Sequence, residues 1–193
     1  MKSRYKRFSG AESFLHNGMP TGDHVSSFWA WAYSELDSNI VRSVLAEYIV
    51  ASALEITDLP GEDFRQMWRP YDLMFEGKRI EVKSASTVQT WNTRNKGNFT
   101  FSIAPARVPD ENGDYKEDAP LRRNSDIYVF CIFDPESEDI SPLNLDAWTF
   151  YIVPTRVFDE KLPVQKTISI NPLMKLNPVK CSFDELQDTI RRL

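Results

Sequence analysis

The chain has 193 residues, 41% hydrophobic and 26% charged, which favours one domain over 1–193 and excludes a disordered chain. A formal net charge of -5 counts against a general nucleic-acid coating protein, which is usually basic, but leaves room for a local basic groove. No apolar run reaches the roughly 18 residues of a membrane span, and the basic start MKSRYKRFSG leads into no signal-type apolar segment, so the expectation is a soluble, cytoplasmic protein with no membrane partner.

Taken in chain order, residues 1–22 are mixed and are expected to be irregular. A first helix is predicted from His24 to Leu36, with Asp23 as its N-cap. Its FWAWAY stretch is heavily aromatic, so the helix is expected to pack inside. The cluster Asp37-Ser38-Asn39 then caps a second helix from Ile40 to Glu55, which TDLPGED breaks. A hairpin follows, Tyr71–Phe75 and Lys78–Ser84, with Gly77 supporting a tight turn. NFTFSIAPA over 98–106 reads as a third strand, followed by a long polar loop. DIYVFCIFD over 126–134 is nearly all apolar and suits a central strand covered on both faces. AWTFYIVPT over 147–155 is another strand, ended by Pro154. The tail SFDELQDTIRRL begins with a capping box, Ser182 to Glu185, and reads as a closing helix. This order predicts a mixed sheet with helices packed against it.

Two cysteines, Cys131 and Cys181, make neither a disulfide framework nor a zinc set, and the histidines, His16 and His24, match no zinc spacing. A metal in this chain would need oxygen ligands, which points to magnesium, manganese or calcium.

The hairpin carries the chemistry. If its loop is Glu76-Gly77, Phe75 pairs with Lys78, Leu73 with Ile80, and Asp72 falls opposite Glu81. Lys83 then projects from the same face as Glu81, and Val82 points the other way. Two opposed carboxylates destabilise a sheet unless one takes up a proton or a cation sits between them. Mg2+ would bring acidified water able to attack a phosphodiester, and Lys83 could orient that water or offset transition-state charge. The plainer reading is a hairpin with a Lys–Glu surface pair. Glu47 lies among Ile40, Val44, Ala51 and Leu54 on a helix apolar almost all round. A buried acid needs a partner, either in a structural ion pair with Arg42 or Arg79, or as an outer carboxylate over the metal site or Lys83.

Glu47 on an early helix, then Asp72, then Glu81-Val82-Lys83 on the next strand, resembles the PD-(D/E)xK nuclease superfamily, over roughly Ile40 to Val153. Tyr71 stands where the family name expects proline, with Pro70 one place early. The resemblance implies an α/β, restriction-endonuclease-like fold, a mixed central sheet flanked by helices, and Mg2+- or Mn2+-dependent phosphodiester hydrolysis. It implies Asp72 and Glu81 as metal ligands with the Val82 carbonyl as a third, Lys83 as the catalytic lysine and Glu47 as the accessory acid. Gln89 resembles the polar residue some members place after the lysine strand, near the scissile phosphate; otherwise it is a surface amide. Many such nucleases dimerise to cut both strands, so a homodimer is one implied state.

Cations to hold phosphates would come first from Arg94 and Lys96 and from Arg122 and Arg123, in long polar segments where binding loops sit, with Lys161 and Lys166 as further candidates. Each reads otherwise as solvated surface. The expected function is a metal-dependent endonuclease acting on DNA. The alternative is a catalytically inactive nucleic-acid-binding or adaptor module on the same fold, suggested by the net negative charge and the lack of a DNA-reading motif such as a helix-turn-helix.

Overall fold

The computed structural model describes residues 7–59, 65, 69–88, 99–107, 118–137 and 139–193. The chain opens with a hairpin, β1 (Ser13–His16) and β2 (Met19–His24), where an irregular segment was expected. Its turn is Asn17-Gly18, with φ of +50° and +78°. Positive φ at both turn residues is the mark of the tight hairpin turn that Asn-Gly favours. That local signal was present in the sequence.

The first helix, α1 (Val25–Tyr33), starts with His24 rather than Asp23 at its N-cap and ends before Leu36. It does not enter the core. None of its residues is buried, and Trp31 is 85% exposed. Its aromatic residues fall at 28, 29, 31 and 33, which spreads them around the helix instead of gathering them on one stripe. Trp29 and Tyr33 flank an apolar groove whose other wall is Val41, Val44, Leu45 and Tyr48 of the next helix.

That helix, α2 (Asn39–Ala53), is capped by Ser38, whose side chain accepts from Val41 N. It packs Ala46, Ile49 and Val50 against the central sheet. The sheet has five strands in the order β3 (Leu73–Phe75), β4 (Lys78–Ser86), β6 (Ile127–Phe133), β7 (Trp148–Pro154), β9 (Val179–Cys181). Only the β4–β6 pairing is parallel, so the sheet is mixed. All seven residues of β6 are buried, as its unbroken apolar run requires for a strand covered on both faces.

Side chains alternate across the sheet. Ile80, Val82, Val129, Cys131, Phe150 and Ile152 meet α2 and the closing helix α5 (Leu186–Arg192). The expected capping box forms only in part: the Glu185 carboxylate accepts from Ser182 N and Oγ, both at 2.9 Å, but the helix begins later, with Glu185 itself as N-cap. On the other face, Ala85, Tyr128, Phe130 and Ile132 meet β5 (Thr100–Ser102), β8 (Thr167–Ser169) and the short helices α3 (Thr155–Lys161) and α4 (Ile170–Met174). The third strand expected over 98–106 is thus confined to Thr100–Ser102. It pairs with β8 in a separate ribbon that lids the sheet.

The hairpin β3–β4 has the expected register, with Phe75 opposite Lys78 and Leu73 opposite Ile80. Its turn holds Glu76 and Gly77 at φ of +48° and +81°. β3 is short and covers β4 only as far as Ile80. Beyond that point the edge of β4 is left to side chains. Among the described residues no helix is long and apolar enough to cross a membrane.

Open space surrounds Gly77, so a Cβ there costs only backbone strain. Gly77→Ala should therefore lower stability by about 1 kcal/mol. Urea denaturation should show a lower midpoint with an unchanged slope.

Candidate active site

The end of β3 sets the geometry. The backbone N of Asp72 donates to Ile80 O at 3.0 Å, and its carboxylate oxygen Oδ2 accepts from Val82 N at 2.7 Å. The side chain thus replaces the strand that stops at Leu73. A β residue turns its N–H and C=O toward the same neighbour. The Val82 carbonyl therefore faces the edge where Asp72 lies, as do the main-chain groups of Ser84 and Ser86.

A cleft of about 570 Å³ runs along this edge. Glu47, Arg42, Ser43 and Asn39 of α2 form one wall. Val82, Lys83, Ser84, Ala85 and Ser86 form the floor. Phe99 and the β5 residues Thr100, Phe101 and Ser102 close the other side. Positions 39, 42, 43 and 47 recur at helical spacing, so α2 presents a polar stripe here while its other face packs on the sheet.

Glu81, Asp72 and Glu47 arrive from three directions. Glu81 and Lys83 share the face lidded by β5, Glu47 comes from α2 on the opposite face, and Asp72 sits at the edge between them. Asp72, Glu47 and Lys83 line the cleft, and Glu81 stands beside it. The Glu81 carboxylate is held between Lys83 Nζ and Ser125 Oγ, the latter at 3.2 Å. Ser125 is fixed in turn by Thr155, whose Oγ1 donates to Ser125 O at 2.6 Å. Behind them the buried Tyr128 hydroxyl is pushed well above its ordinary value, first by burial and then by the charge of Glu81.

Glu47 is 7% exposed and is paired, but with neither Arg42 nor Arg79. Arg65 grips it with both edges of the guanidinium, Nε to Oε2 and Nη2 to Oε1, the second at 2.8 Å. Arg79 instead binds Asp126 through Nε at 3.0 Å and Nη2 at 2.7 Å. Glu47 and Arg65 stand eighteen positions apart, a spacing with no periodicity that would reveal this pair in the sequence.

Among the described residues Asp72 has no ion-pair partner. Burial, then the charge of Glu81, then that of Glu47 push its carboxyl up to about 7, against the opposing pull of the Val82 N–H and Lys83. This is the relief by proton uptake that opposed carboxylates call for.

The phosphate-holding residues fare unevenly. Gln89, Arg94 and Lys96 lie outside the described residues. Arg122 is exposed, with its Nε donating to Asn124 Oδ1 at 3.2 Å, and it does not border the cleft. Arg123 does not fit the expectation of a phosphate contact. Its side chain is 1% exposed and bonds Ile103 O at 2.8 Å, Asp159 Oδ1 at 2.7 Å, Leu162 O at 2.8 Å and Gln165 O at 3.0 Å, beneath the ring of Phe158. Each of its three nitrogens is engaged, and it ties the β5 segment to α3. Lys161 and Lys166 are exposed and also stand away from the cleft.

Among the described residues, no group of three or more His, Cys, Asp or Glu side chains is placed to hold a metal ion. The donors that do gather are the Asp72 carboxylate and the Val82 carbonyl, with Glu81 adjacent. These are hard oxygen donors, and Mg2+ commonly takes only one or two carboxylates while keeping several waters. The surplus negative charge that raises Asp72 is of the kind a cation would relieve. The donor set therefore fits magnesium or manganese.

No protein-family model matches the chain, and no curated protein matches it in sequence.

Two consequences can be measured. The folded chain holds the Asp72 proton up to about pH 7, while an unfolded chain releases it near the ordinary carboxylate value of about 4. The folded state then binds more protons between those values, so this residue's contribution to stability falls as pH rises through that window. Asp72→Asn keeps an oxygen for Val82 N and removes the titration. It should match the wild type near pH 4 and exceed its stability above pH 7, by on the order of 2 kcal/mol. A pH-independent difference in urea denaturation would contradict that account. Arg123→Met should cost about 3 kcal/mol or more, because it strands several buried acceptors. The midpoint of thermal unfolding would fall accordingly.

Proposed function

We propose that the protein is a divalent-metal-dependent nuclease that hydrolyses phosphodiester bonds in DNA, on a restriction-endonuclease-like fold of the PD-(D/E)xK type. The observation that carries this reading is the gathering of Asp72, Glu47 and Lys83 around one cleft at an open sheet edge, with Glu81 bound to Lys83 beside it.

Asp72, Glu81 and the Val82 carbonyl would hold Mg2+ or Mn2+. When bound, such an ion supplies Lewis acidity and an acidified water. The chain's own groups do the rest. Val82 N–H fixes one oxygen of Asp72, and the other takes no part in that bond. Ser125 orients Glu81 from behind. Lys83 carries the positive charge nearest the reacting phosphate and can offset charge that develops on its oxygens. Glu47, locked by Arg65, keeps the field around Asp72 negative. Hydrolysis adds water oxygen to phosphorus, breaks the bond to the leaving sugar oxygen, and passes a proton to that oxygen, giving a hydroxyl and a phosphate monoester.

A second reading, an inactive nucleic-acid-binding module, is favoured by the closure of Lys83 and Ser125 around Glu81, which engages both oxygens of that carboxylate.

Incubation with supercoiled plasmid and short duplexes in Mg2+ or Mn2+ tests the proposal. Nicked or linear product is expected, lost in chelator and reduced at least about a hundred-fold in Asp72→Asn, Glu81→Gln and Lys83→Met. Absence of cleavage in either metal removes the nuclease reading, as does cleavage that persists in Asp72→Asn. Titration calorimetry then separates the inactive module, which should give no Mg2+ or Mn2+ heat dependent on Asp72.

A further inference from the structure

Arg42 has an unusual position. It lies in the first turn of α2, where the helix dipole disfavours a cation, and it is only 3% exposed. A buried guanidinium cannot shed its proton, so it ordinarily meets a carboxylate. Here Nη1 donates to the backbone oxygen of Asp37 at 2.7 Å and Nη2 donates to Asn39 Oδ1 at 2.5 Å. Both acceptors are neutral. Nε is buried and has no partner. Among the described residues no carboxylate forms an ion pair with it, and Asp37 acts on it only at longer range. Burial pulls its proton affinity below the ordinary arginine value, which is the signature of a charge short of a counter-ion.

Its surroundings suit an anion. Arg42 forms the wall of the same cleft that holds Asp72, one helical turn before Glu47, and shares that wall with Asn39 and Ser43. Ser84 on the floor and Thr100 and Ser102 on the far side add hydroxyls. The main-chain groups of Ser84 point to the cleft edge. Along the α2 wall the cleft passes from the cation Arg42, beside Asn39 and Ser43, to the acid Glu47, with Asp72, Arg65 and Lys83 also lining it.

We propose that the Arg42 end of the cleft is a phosphate-binding subsite, with Arg42 as the binding residue and hydroxyls from α2, β4 and β5 around the bound oxygens. Where the phosphate belongs to a nucleic-acid backbone, the subsite rests on the nuclease reading and seats a phosphodiester next to the one that is cut. A planar guanidinium fork matches phosphate oxygens in pairs, which a lysine does not reproduce.

The test is made without divalent metal, in chelator, so that it reads separately from cleavage. Inorganic phosphate should raise the thermal midpoint of the wild type above that in chloride of equal ionic strength, and Arg42→Gln should lose that rise. Binding of a short fluorescent duplex should weaken about ten-fold or more in Arg42→Gln, with Arg42→Lys recovering only part. If Arg42→Gln does not fold, Ser84→Asp serves instead, since it places a carboxylate in the cleft wall and should abolish the phosphate response in a native-like protein. A phosphate response that survives in a folded Arg42→Gln or in Ser84→Asp overturns the subsite, as does a wild type indifferent to phosphate. A phosphate response that depends on Arg42 with no effect on duplex affinity supports the site and assigns it to free phosphate or a small phosphoester. Plasmid cleavage at wild-type rate in a phosphate-insensitive Arg42→Gln likewise supports the site as one for free phosphate or a small phosphoester, and leaves the nuclease reading intact.

Discussion

The site depends on a strand that stops early. β3 pairs with β4 only from Leu73 to Phe75, and the next amide on the β4 edge is taken by the Asp72 carboxylate instead of a backbone carbonyl. A longer β3 would have closed this edge with a ladder of main-chain bonds, leaving no cleft. Exposed sheet edges are normally blunted because they invite pairing. Here α2 and β5 flank the edge instead, one on each face, and the room between them becomes a polar cleft. The same choice buries an acid against like charges. The cost of that burial is visible in the proton that Asp72 holds to about pH 7.

Charge is not balanced residue by residue across the cleft. Glu47 has Arg65, and Glu81 has Lys83. Among the described residues Asp72 has a hydrogen bond but no ion-pair partner, and Arg42 has hydrogen bonds but no ion-pair partner. Both are mostly buried, where an uncompensated charge is costly. The two deficits are opposite in sign, lie in one cleft, and do not satisfy each other. A cation at one end and a phosphate at the other would settle both, which is the pairing a metal-assisted phosphodiesterase brings with its substrate. Other buried charges in the chain follow the usual rule, as Arg123 with Asp159 does. Among the described residues the exceptions lie in the cleft.

The hairpin was legible because its information is local. Glu76-Gly77 fixes the turn, the turn fixes the register, and the register places Asp72 beside the Glu81 strand. β6 was legible for a different reason, since a seven-residue apolar run has few other places to go. What failed was tertiary. The aromatic run of α1 resembles core in composition, but its residues point around the helix and, among the described residues, no layer buries them. The strand near Phe101 has strand-like residues, yet whether it joins the central sheet or lids it depends on β8, some sixty residues later.

The arginines show the limit most clearly. From its neighbourhood in a polar loop, Arg123 reads as a surface cation, and Arg42 reads as a partner for the acid one turn along its helix. The fold exchanges those roles. Arg123 falls where three carbonyls and Asp159 converge, so its charge is consumed in holding β5 against α3. Arg65, unmarked by any pattern in the sequence, pairs with Glu47, and among the described residues Arg42 has no carboxylate in an ion pair. Arg65 thus shapes the cleft at both ends. It fixes the Glu47 carboxylate, whose charge acts on Asp72, and by occupying Glu47 it keeps that acid from Arg42.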